Sequence, residues 1–233
     1  MLDLARILAI TLDLDDTLWP IWPTIERAEL ALHRWLCSHA PRTAAMFANA
    51  PALRAMREQV RASRPDLHNN LSGMRRESLR LALLQAGDDP NLASPAFDIF
   101  FAERQRVELF EDALPALKAL AARYPLVAIT NGNANLHNVG LGSFFMASFS
   151  AQEFGVGKPD PRIFEAAAQR LGVATSEVLH VGDDATLDAL GAMNAGMQAA
   201  WLNRGDHPWP HGDMPHVTVG GLAELCILLG LPA

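Results

Sequence analysis

The stretch from Ile7 to Leu18 limits the possible folds more than any other part of the chain. An apolar run containing Ile7, Ile10 and Thr11 ends in Asp13, Asp15 and Asp16, three carboxylates within four positions. Consecutive rather than alternating apolar residues predict a strand buried on both faces, as in a parallel sheet covered by helices. Ligands of such sheets bind beyond the carboxyl ends of the strands, where Asp13 and Asp15 fall. Two unit charges about 4 Å apart repel by about 4 kcal/mol at an effective dielectric of about 20. Something cationic must complete the site.

Downstream of this strand the pattern changes. Pro20 and Pro23 interrupt the backbone, Thr24 reads as a helix cap, and Ile25, Leu30, Leu32, Trp35 and Leu36 supply an apolar helical face. Further helices are predicted at 43–63, 73–86 and 93–109, and no strand between 19 and 110. The next strand is Leu126 to Thr130, left at Asn131-Gly132. A crossover between parallel strands needs about a dozen residues, so a separation this long predicts an inserted helical module. Emerging beside the carboxylates, such a module would sit over the site as a cap. Beyond Gly132 a short helix is predicted at 135–141, then a strand at 145–150, a helix at 160–171 and a strand at 178–182. A helix at 184–195, strands at 198–202 and 217–219, and a last helix at 222–229 follow. Alternating β and α elements imply a doubly wound parallel sheet. The expected domains are 1–18 with 110–233 as the α/β core and 19–109 as an all-helical cap.

Composition removes several alternatives. Half of the 233 residues are hydrophobic and 19% are charged, which predicts a packed core. The net charge of −7 argues against nucleic-acid binding. No apolar stretch reaches the ~18 residues of a membrane span, and the N-terminus lacks the basic leader of a secretory signal. A cytoplasmic protein, monomer or homodimer, is expected. Cys37 and Cys226 match no metal or redox spacing and read as reduced core thiols.

Polar groups recur at the predicted strand ends and helix starts: Asp13, Asp15 and Thr17; Thr130 and Asn131; Lys158 before a helix; and Asp183, Asp184 and Asp188. Each piece alone has an ordinary reading, as a turn, a solvated lysine or a helix start. Their order is not ordinary. Asp13 to Thr17 (Asp-x-Asp-x-Thr), Thr130, Lys158 in Gly157-Lys158-Pro159-Asp160, and Gly182-Asp183 with Asp188 resemble the four motifs of the haloacid dehalogenase-like (HAD) superfamily of hydrolases. The helical insertion falls between the first and second motifs, where capped members carry it.

The resemblance implies a Mg²⁺-dependent phosphatase acting on a small phosphorylated metabolite. Asp13 would be the nucleophile that forms an aspartyl-phosphate, and Asp15 the acid and base. Thr130, the Asn131 N–H and Lys158 would hold phosphate oxygens. Asp13, Asp183 and the Asp15 carbonyl would bind Mg²⁺, with Asp184 and Asp188 orienting Lys158 and bound water. An acid at position 15 favours phosphoryl transfer over dehalogenation, which needs no leaving-group protonation. The 125–134 and 178–199 stretches are similar to bacterial flavin-pathway phosphatases of the superfamily, which act on 5-amino-6-(5-phospho-D-ribitylamino)uracil and on FMN. The alternatives are a phosphomutase or dehalogenase of the same fold, or a non-catalytic phospho-ligand-binding module.

In the insertion, Trp19 and Trp22 could stack on a flat ring or pack a hinge. Arg57, Arg61 and Arg64 share one helical face, and His68 and Asn70, with Arg64 and Arg75, are candidate substrate contacts. His207, His211 and His216 in a Pro/Gly loop have no regular metal spacing and read as surface residues.

Overall fold

The computed structural model describes residues 1–48 and 50–232. In chain order its elements are β1 (Ala9–Leu12), α1 (Ile21–His39), α2 (Pro41–Met46), α3 (Ala50–Ser63), α4 (Leu71–Ala86), α5 (Ala93–Arg104), α6 (Ala113–Arg123) and β2 (Leu126–Thr130). Then come β3 (Ala147–Ser150), α7 (Ala151–Phe154), α8 (Pro161–Leu171), β4 (Val178–Gly182) and a π-helical turn (Ala185–Leu190) that runs into α9 (Gly191–Asn194). The chain ends with β5 (Gln198–Leu202), β6 (Val217–Val219) and α10 (Leu222–Leu228). It forms two compact units, Met1–Pro20 with Glu108–Ala233 and, separately, Ile21–Val107. No helix of the described residues is long and apolar enough to cross a membrane.

The first unit is a six-stranded parallel sheet of order β3-β2-β1-β4-β5-β6. From β1 the chain winds outward through β2 to β3. It then returns to β4 and winds the other way, so the direction reverses between β1 and β4. A crevice opens beyond the carboxyl ends of the strands at such a switch point. Every residue of β1, β2, β4 and β5 is buried, which is why these strands read as continuous apolar runs.

One sheet face packs Ala9, Val127, Ile129 and Val178 against Ile163, Phe164 and Ala167 of α8 and Ala192 of α9. On the other, α6 and α10 pack on each other. The start of α8 is set locally. Asp160 accepts a hydrogen bond from the Arg162 N–H, Pro161 occupies the first helical position, and Gly172 at φ 75° ends the helix. Ile163, Phe164, Ala167 and Ala168 then share its buried face, so the segment just after Lys158 is anchored. Truncating Phe164 to alanine would cost about 3–5 kcal/mol.

The second unit packs α1, α3, α4 and α5 around Ala28, Leu32, Leu36, Leu79, Leu83, Phe97 and Phe100. Its details differ from expectation. Helix α1 starts at Ile21, before Pro23, and Thr24 is a buried helical residue rather than a cap. First-turn N–H groups have no intrahelical acceptor, so Pro23 removes nothing there. Leu30 points to solvent. The helix expected over 43–63 is two helices, α2 and α3, with position 49 between them outside the described residues, and the one expected over 93–109 ends at Arg104. In the first unit, 135–141 is a turn, because the Asn135 carboxamide accepts from the N–H groups of His137 and Asn138 and so competes with helix. Cys226 is buried, but Cys37 is exposed on α1 and is no core thiol.

Candidate active site

The loop after β1 is tightly wound. The Asp13 N–H donates to the Val181 carbonyl of β4 at 2.9 Å, Asp16 N–H to the Trp19 carbonyl at 2.7 Å and Leu18 N–H to the Leu14 carbonyl at 2.8 Å. Asp16 holds φ 58°, a left-handed conformation that aspartate tolerates better than most residues. It is the turn residue of the loop. Asp13 is buried, and the Thr17 hydroxyl lies 3.2 Å from its Oδ2 and 3.4 Å from Asp183 Oδ1. Trp19 is fully buried within the sheet unit, and its indole N–H donates to Asp15 Oδ1 at 2.8 Å.

Lys158 reaches this loop from between β3 and α8. Its buried ammonium donates to Asp13 Oδ1 and, at 2.5 Å, to Asp188 Oδ1. Asn131, beyond β2, holds the lysine backbone from both sides: its Oδ1 accepts from the Lys158 N–H and its Nδ2 donates to the Lys158 carbonyl, each at 2.8 Å. A side chain at position 157 would prevent this, because a Cβ there would lie 2.4 Å from Asn131 Oδ1. Thr130 is buried, and its hydroxyl accepts from the Gly132 N–H at 2.9 Å.

The fourth strand end carries the remaining acids. The π-helical turn brings Asp188 back toward β4, and Gly182 permits the approach: a Cβ at 182 would meet Asp188 Cγ at 2.2 Å. Besides Lys158, Asp188 accepts from His180 Nε2 at 2.9 Å and from the Asp184 N–H at 3.1 Å. Asp184 itself caps the turn, accepting from the Thr186 and Leu187 N–H groups at 2.8 Å. It reaches Lys158 only through Asp188. The Asp183 carbonyl accepts from the Trp201 indole N–H at 2.7 Å.

These groups hold too few cations. Burial raises Asp13 well above the carboxylate range, with Asp188 and Asp183 adding to the rise against the pull of Lys158. Burial, Asp188 and Asp16 push Asp183 up to about 7. Burial also disfavours the Lys158 ammonium, but Asp13 and Asp188 outweigh it and hold the lysine charged. Asp188 suffers burial too, yet Lys158 and His180 bring it down to about 2. The lysine therefore satisfies Asp188, and the deficit falls on Asp13 and Asp183. A small divalent cation fits that deficit. Asp13, Asp183 and Asp188 offer carboxylate oxygens within 4.8 Å of one another. Asp188 already has three donors, so Asp13 and Asp183 are the carboxylates left for a metal. An all-oxygen set of few carboxylates suits Mg²⁺.

Asp13, Asp183, Asp188, Lys158 and Thr17 thus converge, with Asn131 holding the lysine backbone. The residues considered for the insertion are placed differently. Trp19 presents no face to a ligand, whereas Trp22 is 59% exposed with the Arg54 guanidinium 5.6 Å from its ring. Asn70 caps α4 by accepting from the Gly73 N–H, and His68 is exposed. Arg57 and Arg75 pair with Glu29, and Arg64 with Asp66. In the C-terminal loop, His211 bonds the Thr186 hydroxyl at 2.9 Å and His216 accepts from the Ala199 N–H.

Three supporting residues went unread in the sequence: His180, Trp201 and Arg204. A histidine inside the apolar run Val178-Leu179-His180-Val181 was a signal. Arg204 had none. It pairs with Asp112, donates to the Thr17 carbonyl at 3.3 Å and lies over the Phe110 ring, so it ties the first loop to the returning chain.

The family described as haloacid dehalogenase-like hydrolase matches residues 7–196. The chain is similar to 5-amino-6-(5-phospho-D-ribitylamino)uracil phosphatase YigB of Escherichia coli (strain K12), 37% identical over 97% of this chain and 98% of that protein. It is similar to phosphoserine phosphatase of Thermus thermophilus, 33% identical over 93% of this chain and 96% of that protein. Among solved structures, 2-haloacid dehalogenase from Pseudomonas syringae pv. Tomato DC3000 superposes with a TM-score of 0.89 at 36% identity, covering 96% of this chain and 98% of that one.

Proposed function

The chain belongs to the haloacid dehalogenase-like hydrolase family, and we propose that it is a Mg²⁺-dependent phosphomonoesterase working through an aspartyl-phosphate on Asp13. The observation that carries this reading is Asp15: a second acid two residues from the nucleophile, oriented by the Trp19 indole N–H. Displacing halide from carbon needs no acid at that position, whereas an alkoxide leaving phosphorus needs a proton.

In the proposed sequence Asp13 Oδ attacks phosphorus, the ester P–O bond breaks, and Asp15 gives its proton to the departing oxygen. Asp15 then takes a proton from water as that water attacks the aspartyl-phosphate, releasing inorganic phosphate and restoring Asp13. Splitting hydrolysis this way replaces one difficult step with two easier ones. Lys158 offsets charge on the nucleophile and the transferring group, and Thr130 with the Asn131 N–H holds phosphate oxygens. Asp13 and Asp183, with the Asp15 carbonyl, would hold Mg²⁺, which would supply further neutralisation of the phosphoryl oxygens. To the helical unit we assign the recognition of the rest of the substrate, and of its candidate residues Trp22 and His68 are exposed.

The substrate we put first is 5-amino-6-(5-phospho-D-ribitylamino)uracil, followed by FMN, because the Escherichia coli relative is named for the former and is similar over nearly the full length. The dehalogenase reading rests on the superposition with the Pseudomonas syringae protein. A screen of purified protein against phosphorylated metabolites and 2-haloacids, with and without Mg²⁺, separates the two. Phosphate release that requires Mg²⁺ and is lost in Asp13→Asn is the expected result. Halide release without metal, and no phosphate from any ester, would overturn it. In Asp183→Asn the Mg²⁺ concentration for half-maximal activity should rise by at least about tenfold.

A further inference from the structure

The reaction as proposed makes no use of His180, yet this residue sits in the middle of the sheet, fully buried and paired in register with Thr11 of β1. Burying an imidazole is unfavourable unless both ring nitrogens find partners. Here they do: Nδ1 lies 2.8 Å from Thr11 Oγ1, and Nε2 lies 2.9 Å from Asp188 Oδ1. An ionised carboxylate only accepts, so the proton is on Nε2 and the Thr11 hydroxyl donates to Nδ1. The Phe164 ring of α8 stands edge-on to the imidazole at 5.0 Å.

We propose that His180, held as the neutral Nε2–H tautomer between Thr11 and Asp188, is a positioning residue that fixes Lys158 through Asp188. This rests on the reading of Lys158 as the lysine that works on the phosphoryl group. Asp188 Oδ1 takes both the Lys158 ammonium and His180 Nε2–H, while Oδ2 takes the Asp184 N–H. Three donors from three segments leave the carboxylate one orientation, and the ammonium stays shared between Asp188 and Asp13. Without the imidazole the carboxylate is held by the lysine and the Asp184 N–H alone, and Lys158 can shift toward Asp13 and hold its charge too tightly for attack. The charged groups near the ring are Asp188 and, through the shared oxygen, Lys158. Burial, and then the lysine, disfavour an imidazolium there and outweigh the pull of Asp188. Partners that orient a working group through one intermediate are worth about 10–100-fold when removed.

Two measurements test this. Imidazole ¹⁵N spectra of the full chain should show His180 protonated at Nε2 and unprotonated at Nδ1 at neutral pH. A proton on Nδ1, or on both nitrogens, overturns the proposal whether or not any phosphoester is hydrolysed. In kinetics, His180→Phe keeps the ring volume but loses the donor and should lower kcat about 10–100-fold with KM little changed. His180→Gln retains an N–H for Asp188 and should recover most of that loss. Thr11→Val leaves the ring in place but frees Nδ1, and should fall between wild type and His180→Phe. Equal impairment of the Gln and Phe variants, or activity that follows melting temperature instead of the donor, overturns it. An inactive wild type with the expected spectrum would instead count against the phosphatase reading.

Discussion

Replacing Lys158 by methionine keeps most of the side chain's volume and leaves Asp13 and Asp188 buried without their shared cation. Removing one partner of a buried ion pair costs about 3–5 kcal/mol, and denaturant titration of Lys158→Met in the absence of metal should show a loss of that order. Asp13→Asn should behave oppositely. Burial already raises the Asp13 pKa, so a neutral isostere removes charge from an acid-rich pocket. Folding stability should hold or increase while turnover falls by at least about a thousandfold. A destabilised Asp13→Asn would show that the carboxylate is better compensated than the geometry indicates. The two variants would therefore separate Lys158, a residue the fold relies on, from Asp13, the proposed nucleophile, whose charge is held at the expense of stability.

At the scale of elements, the central strands were legible because parallel strands buried on both faces are apolar at every position, and the acids stood out where each run ended. The helical insertion was legible as a chain length that no simple crossover uses. Element edges were less so. Proline misplaced the start of α1 because its meaning depends on whether it falls in the first turn or the interior. Asn135 read as helical only until its carboxamide bonded its own backbone. The fate of Trp19 was beyond local pattern, since a tryptophan beside a catalytic loop can face a ligand or the core. The same holds for the π-helical turn, whose extra residue returns Asp188 to Lys158 and has no signature in spacing. Gly182 is the element-level dependency that exposes it. A Cβ there meets Asp188 at 2.2 Å, so Gly182→Ala must push the π-helical turn away from β4. The expected result is about 1–3 kcal/mol of lost stability and a fall in kcat larger than the fall seen with Asn131→Ala, which loosens Lys158 from the other side. Preserved turnover in Gly182→Ala would mean that Asp188 need not stay on the lysine.

For the molecule as a whole, the buried groups of the sheet edge set how folding stability depends on pH. His180 has its pKa lowered from 6.5 by burial, so between that value and its lower folded value the unfolded chain binds more protons than the folded one. Its contribution to stability is therefore complete above 6.5 and is lost as the pH falls below it. Asp188, brought down to about 2 from 3.8, contributes fully above 3.8 and loses its contribution only as the pH falls toward 2. Asp183 works in the other direction. Pushed up to about 7, it favours the folded state at low pH and loses that contribution as the pH rises through 7, unless a cation holds the carboxylate ionised. Comparing wild type with His180→Gln in saturating Mg²⁺ isolates the histidine. Both proteins should show the same slope above pH 7. Below 6.5 the wild type should lose stability faster, by at most about 1.4 kcal/mol per pH unit. Parallel curves across pH 5–7 would mean that His180 takes up its proton alike in the folded and unfolded chains. Burial would then not keep the imidazole neutral below 6.5, and the hold of the sheet core on its tautomer, and through it on Asp188, would be lost there.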